Sequence, residues 1–147
     1  MQYYSYYNSI KPDNIKALTD RYKDRKPERF KILKYKNISP NKYIISSYGR
    51  IFYRNSGHEV MQKNTDQFKT VSLSCLNKKD SSVSKENFFV HDLVAYMFIR
   101  NSRAYIKDGY VPIHLNHIRS CNYCENIIYG EVKDSSTRIK IAFSDRV

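Results

Sequence analysis

The sequence has no tryptophan, only four glycines, four prolines and three cysteines, and just 14 acidic residues against 26 lysines and arginines. Each shortage excludes something. With so little glycine and proline there is neither an internal repeat nor a low-complexity linker, and 147 residues suffice for one domain with a real core but hardly for two. Cys75, Cys121 and Cys124 are odd in number and lack the spacing of a disulfide framework, so reduced thiols and an intracellular setting are expected. No apolar run approaches the roughly 20 residues that cross a bilayer. The opening MQYYSYYNSIKPD also lacks the apolar core of a secretion signal. The shortage of acid leaves a formal charge of +12 and a pI near 9.6. Such an excess costs self-repulsion and does little for a fold, but it suits a polyanion, and nucleic acid is the expected partner. The abundance of Lys, Asn, Ile and Tyr also fits AT-rich coding, which would explain part of the charge without any partner.

What is present divides the chain at about residue 27. Residues 1–27 read as a basic, tyrosine-rich arm and a helix: Pro12 suits a first helical position, Ile15, Leu18 and Tyr22 share a face, and Pro27 stops it. Residues 28–147 form the main domain. Four short apolar runs, at 30–33, 43–45, 50–53 and 68–73, predict strands of a small antiparallel sheet within a β motif spanning 30–74. Gly49 can supply the positive φ of a tight turn, which predicts a hairpin over 43–53. Residues 80–85 read as an exposed loop. Val90, Leu93, Val94, Met97 and Phe98 recur at helical spacing, with Asp92 near the start, and predict a buried helix over about 91–100. A basic loop over 100–107, a strand over 111–117, a short helix near 125–133 and a last strand over 138–143 complete the expectation. The fold class is therefore α+β.

The segment from His114 to Asn126 concentrates two of the four histidines and two of the three cysteines. Asn116 and His117 at a strand end form a candidate pair. An amide oxygen can face a divalent cation, an imidazole can deprotonate water, and phosphodiester hydrolysis needs both services. A rival reading takes His114, His117, Cys121 and Cys124 as ligands of a structural Zn2+, although H-x2-H-x3-C-x2-C is not a common finger spacing. Arg50, Arg54, Lys69, Arg100 and Arg103, interleaved with tyrosines, are candidate nucleic-acid contacts; a solvated face is the plainer account of any single one.

Two separate segments, in order, resemble the HNH nucleases of the phage and intron homing type. Tyr43-Ile44-Ile45-Ser46-Ser47-Tyr48-Gly49-Arg50-Ile51 is similar to the N-terminal motif Y-x-V-S-N-x-G-R-V, and Phe30-Lys31-Ile32 stands where that family opens with Trp-Lys-x-Ile. Val90-His91-Asp92-Leu93-Val94-Ala95 resembles V-H-R-L-V-A, Leu115-Asn116-His117-Ile118 resembles V-N-H-I, and Glu125-Asn126-Ile127 resembles E-N-L. The resemblance spans about residues 30–131 and implies a ββα-metal (HNH-like, His-Me finger) core. It also implies endonuclease activity on nucleic acid, expected to be double-stranded DNA, with Mg2+ or Mn2+. In that carry-over His117 is the base, Asn116 a metal ligand and Asn126 a brace of the loop, while His91 serves packing. The departures are Arg119 where the family has Asp, Ser120 where it has Gly, and a loop about three residues short. Asp134 stands near the expected second metal ligand as a substitute. A catalytically impaired relative that binds nucleic acid or serves a structural role, with or without the structural zinc, is the alternative.

Overall fold

A computed structural model describes residues 26–133 and 138–142. Of the arm and helix expected over 1–27, residues 1–25 lie outside the described residues, as does Asp134.

Among the described residues, three antiparallel three-stranded sheets pack around a short central helix. β1 (Phe30–Ile32), β2 (Tyr43–Ser46) and β3 (Ile51–Tyr53) form the first. β4 (Lys63–Thr65), β5 (Phe68–Leu76) and β6 (Val83–Phe89) form the second. Helices α1 (Val90–Phe98) and α2 (Ser102–Lys107) follow. The third sheet is β7 (Val111–His114), β8 (Ile127–Lys133) and β9 (Arg138–Ala142).

Local chemistry explains the first hairpin. Ser46 Oγ accepts from Tyr48 N and Arg50 N, both at 3.1 Å, and Gly49 takes a φ of +85° between them. The register then places Ile45 opposite Ile51, and both are fully buried. In β5, Val71, Leu73 and Cys75 alternate into the core, as a half-buried strand requires. α1 sits at the centre. Val90, Leu93, Val94, Ala95 and Phe98 are all buried, which for a helix of nine residues supplies stability that propensity cannot. Its end is closed by Ser102, whose Oγ donates to the carbonyls of Ala95 (2.9 Å) and Ile99 (2.5 Å).

Several expectations are corrected. The early strands build two sheets rather than one, because β4 pairs with β5 and leaves the β1–β2–β3 unit separate. The basic stretch at 100–107 contains α2, held by Tyr105 stacking on Tyr129 with ring centres 5.4 Å apart. The exposed loop at 80–85 is shorter than expected, since β6 begins at Val83 and pairs along β5. The strand at 111–117 stops at His114. Over 125–133 the expected helix is instead a single 3-10 turn, Cys124–Asn126, followed by β8. Ile127, Ile128 and Tyr129 favour the extended chain, and partners on both sides, β7 and β9, complete its backbone bonds.

Candidate active site at the end of the seventh strand

β7 brings His114 to the centre of the molecule and then gives way to a tight loop. Leu115 N still donates to Asn126 O (2.8 Å), after which His117 turns into a left-handed conformation (φ +61°) with its N–H on His114 O at 3.2 Å. Asn116 shapes the turn, since its Oδ1 accepts from Ile118 N at 2.9 Å.

The buried Asn126 ties the two ends of this loop together. Its Nδ2 donates to Asn116 Oδ1 (2.9 Å) and Cys121 O (2.8 Å), and its Oδ1 accepts from Asn116 N (3.1 Å). Two residues ten apart in sequence thus face each other beside His117. His117 is half-buried, and burial first, then the Arg119 cation, lower its pKa from the ordinary histidine value. A histidine held neutral near pH 7 can accept a proton from water. Arg119 itself lies over the Phe68 ring, 5.2 Å from its centre, and reaches Asp66 O at 3.5 Å.

Beneath the loop is a buried histidine pair that sequence reasoning did not assemble. The rings of His91 and His114 meet edge to face at 5.1 Å, and Phe68 and Phe89 enclose them. Burial, and for His91 the neighbouring His114, keeps both neutral; that of His114 falls to about 4. Asn122 completes the arrangement, its Oδ1 lying 2.7 Å from His114 Nε2. The first hairpin then docks on Asn122. A Cβ on Gly49 would sit 2.8 Å from Asn122 Cβ and 3.0 Å from its carbonyl oxygen. Beside it Cys124 N donates to Ser47 O (2.8 Å), and Tyr48 packs edge to face on Tyr123 at 4.6 Å. The two motif segments noted in the sequence are therefore one packed unit. Nothing in the spacing of Asn122 or Phe68 marks them; only the pairing of the sheets does.

Two residues of the zinc reading, His114 and Cys124, make other side-chain bonds. His114 is turned to Asn122, and the Cys124 thiol donates to Glu125 Oε2 while Arg29 Nη2 reaches its sulfur at 3.2 Å. Among the described residues no three His, Cys, Asp or Glu side chains gather as a metal-holding group. Among the described residues, Asn116 and Asn126 bring carboxamide oxygens together at this loop. Such donors suit magnesium or manganese, but being neutral they would share the ion with phosphate oxygens.

Of the five candidate nucleic-acid contacts, Arg50 and Lys69 line one groove and Arg100 and Arg103 line another. Arg50 is engaged by Glu28 at 2.5 and 2.8 Å, approaches Glu59 at 3.9 Å, and lies over Phe52. Arg54 is exposed just beyond β3. Lys69 lines a groove of about 430 Å³ with Gly49, Glu59, Ser120 and Asn122, next to the loop. Arg100 and Arg103 lie in another groove at the far end of α1.

No family model and no curated protein matches the chain. A solved structure does: that of the HNH homing endonuclease I-HmuI, described for its DNA binding and cleavage, with a TM-score of 0.55 and 21% identity over 70% of this chain. The fold is HNH-endonuclease-like. At that identity the likeness is one of backbone architecture. The match covers about half of that nuclease, 52% of its length. Among the described residues no helix is long and apolar enough to cross a membrane.

Proposed function

We propose that this protein is a metal-dependent DNA endonuclease of HNH type, possessing the homing-type N-terminal motif and hydrolysing phosphodiester bonds at the β7–β8 loop. The observation that carries this reading is the convergence of Asn116 and Asn126 beside His117, in a chain whose fold is HNH-endonuclease-like. β7, the loop and β8 serve as the two strands of a ββα-metal-like core, with β9 paired to β8 where that core has its helix. His117 takes a proton from the attacking water, and the Asn116 and Asn126 carboxamides would hold Mg2+ or Mn2+. Such an ion, when bound, offsets charge on the phosphate oxygens. Asn126 also fixes the loop by its bond to Cys121 O.

The second reading, a nucleic-acid-binding relative without turnover, rests on a specific feature: the two amides are neutral and already bonded to each other. Incubation of supercoiled plasmid with Mg2+ or Mn2+ separates the two. Nicking that EDTA and His117→Ala both abolish is the expected result. Binding of DNA without nicking, across plasmids of varied sequence, would overturn the nuclease in favour of the binding protein.

A further inference from the structure

The proposed nuclease reading gives the molecule a nucleic-acid partner without saying what holds it. Resting on that reading, we infer that the groove between Lys34 and the α1–α2 corner is a dedicated seat for the sugar–phosphate backbone, separate from the β7–β8 loop.

Lys34, Arg100 and Arg103 come from two distant parts of the chain and line a single groove of about 810 Å³. The corner that joins them is built. Asn101 takes a left-handed conformation (φ +61°), which bends the chain sharply between Arg100 and Arg103. Ser102 pins that bend to α1 through two buried bonds. Arg103 Nε donates to Tyr96 OH at 2.9 Å, which orients its guanidinium without neutralising it. Met97 and Ile99 contribute apolar surface to the lining, against which a sugar can rest.

Charge decides between this groove and its rival. Among the described residues no carboxylate lines the α1–α2 groove, whereas the groove beside the candidate active site contains Glu59, and its Arg50 is occupied by Glu28. Three cations facing one concavity with no counter-charge among its lining residues are arranged for a polyanion. α1 has nine residues, so its ends stand about 13 Å apart. His91 at its start meets His114, the residue from which the site loop departs, and the groove lies at its end. One duplex turn, roughly 34 Å, can reach both.

The test is duplex binding by fluorescence anisotropy across a salt series, with full-length protein. The variant Lys34→Gln/Arg100→Gln/Arg103→Gln is compared with a charge-matched control, Lys78→Gln/Lys79→Gln/Lys85→Gln, on the exposed β5–β6 hairpin. Three lost phosphate contacts lower the slope of log affinity against log salt by about 2.7 and weaken binding about tenfold or more at moderate salt. The control is expected to change the slope by less than about one contact. The single variant Arg100→Gln, with a slope change of about 0.9, guards against a misfolded triple variant. Equal losses in triple and control would overturn the groove while leaving the nucleic-acid partner intact. Failure of the unmodified protein to bind any duplex at low salt would overturn the partner as well.

Discussion

Gly49 carries more of the site than any charged residue near it. It needs a positive φ, and it abuts Asn122, which in turn bonds His114 in the strand that presents Asn116 and His117. Gly57 is the natural comparison, because it too has positive φ (+74°) but nothing lies within 4 Å of an added Cβ. Gly57→Ala should cost only the left-handed penalty, roughly 1–2 kcal/mol. Gly49→Ala should cost that plus the displacement of Asn122, a further ~1–3 kcal/mol. Urea denaturation of the two variants checks this, and equal losses would remove the contact from the account. At this scale the sequence was informative about types but not about partners. Gly49 reads as a turn residue and Asn126 as a brace on sight. That Asn122 is the surface against which the turn is pressed depends on a contact between distant parts of the chain.

Among elements, α1 and β7 bury titratable groups whose effects on stability oppose one another. His91 and His114 have depressed pKa values, with His114 near 4. The unfolded chain binds protons at these rings first, so their contribution is fully present above about pH 6.5 and is lost as pH falls toward 4. For His114 alone this is up to roughly 3 kcal/mol. Asp92 runs the other way, because burial raises its pKa to about 7. Its contribution is present below the ordinary carboxyl pKa and is lost as pH rises through 7. With 26% of its side chain exposed, solvent softens that arm. Acidification from pH 7 to 5 therefore costs the unmodified protein less than it costs Asp92→Asn, in which only the histidine loss remains. Denaturation midpoints at pH 7, 6 and 5 test this, and parallel profiles would refute the assignment. Element boundaries were legible where burial on one face set the period, as in β2, β3, β5 and α1. They were not legible in α2 and β8. Tyr105 packs α2 onto Tyr129 of β8, so each of these elements is fixed by the other.

Taken whole, the molecule has a charge of +12 that opposes its own compactness while attracting a polyanion. Salt should therefore act in two directions. Raising NaCl screens the repulsion and should raise Tm, whereas the same change should weaken the proposed binding of duplex by counterion competition. Calorimetry and anisotropy over one salt series measure both, and a Tm that falls with salt would mean that attractive ion pairs dominate instead.

The sequence by itself determined the charge, the turn at Gly49, the strand periods before residue 74, the central helix and the Asn116-His117 pair, since each follows from composition or from local spacing. It also carried the resemblance that the backbone architecture supports at the level of fold. Only the tertiary structure decided that Asn126 faces Asn116, that His91 and His114 share one buried pocket, and that Arg50 and Lys69 line one groove while Arg100 and Arg103 line another. It also brought His114 to Asn122 and Cys124 to Glu125. The reason is physical: these outcomes depend on which strand pairs with which, and an amide or a guanidinium is bound by whatever the pairing brings to it.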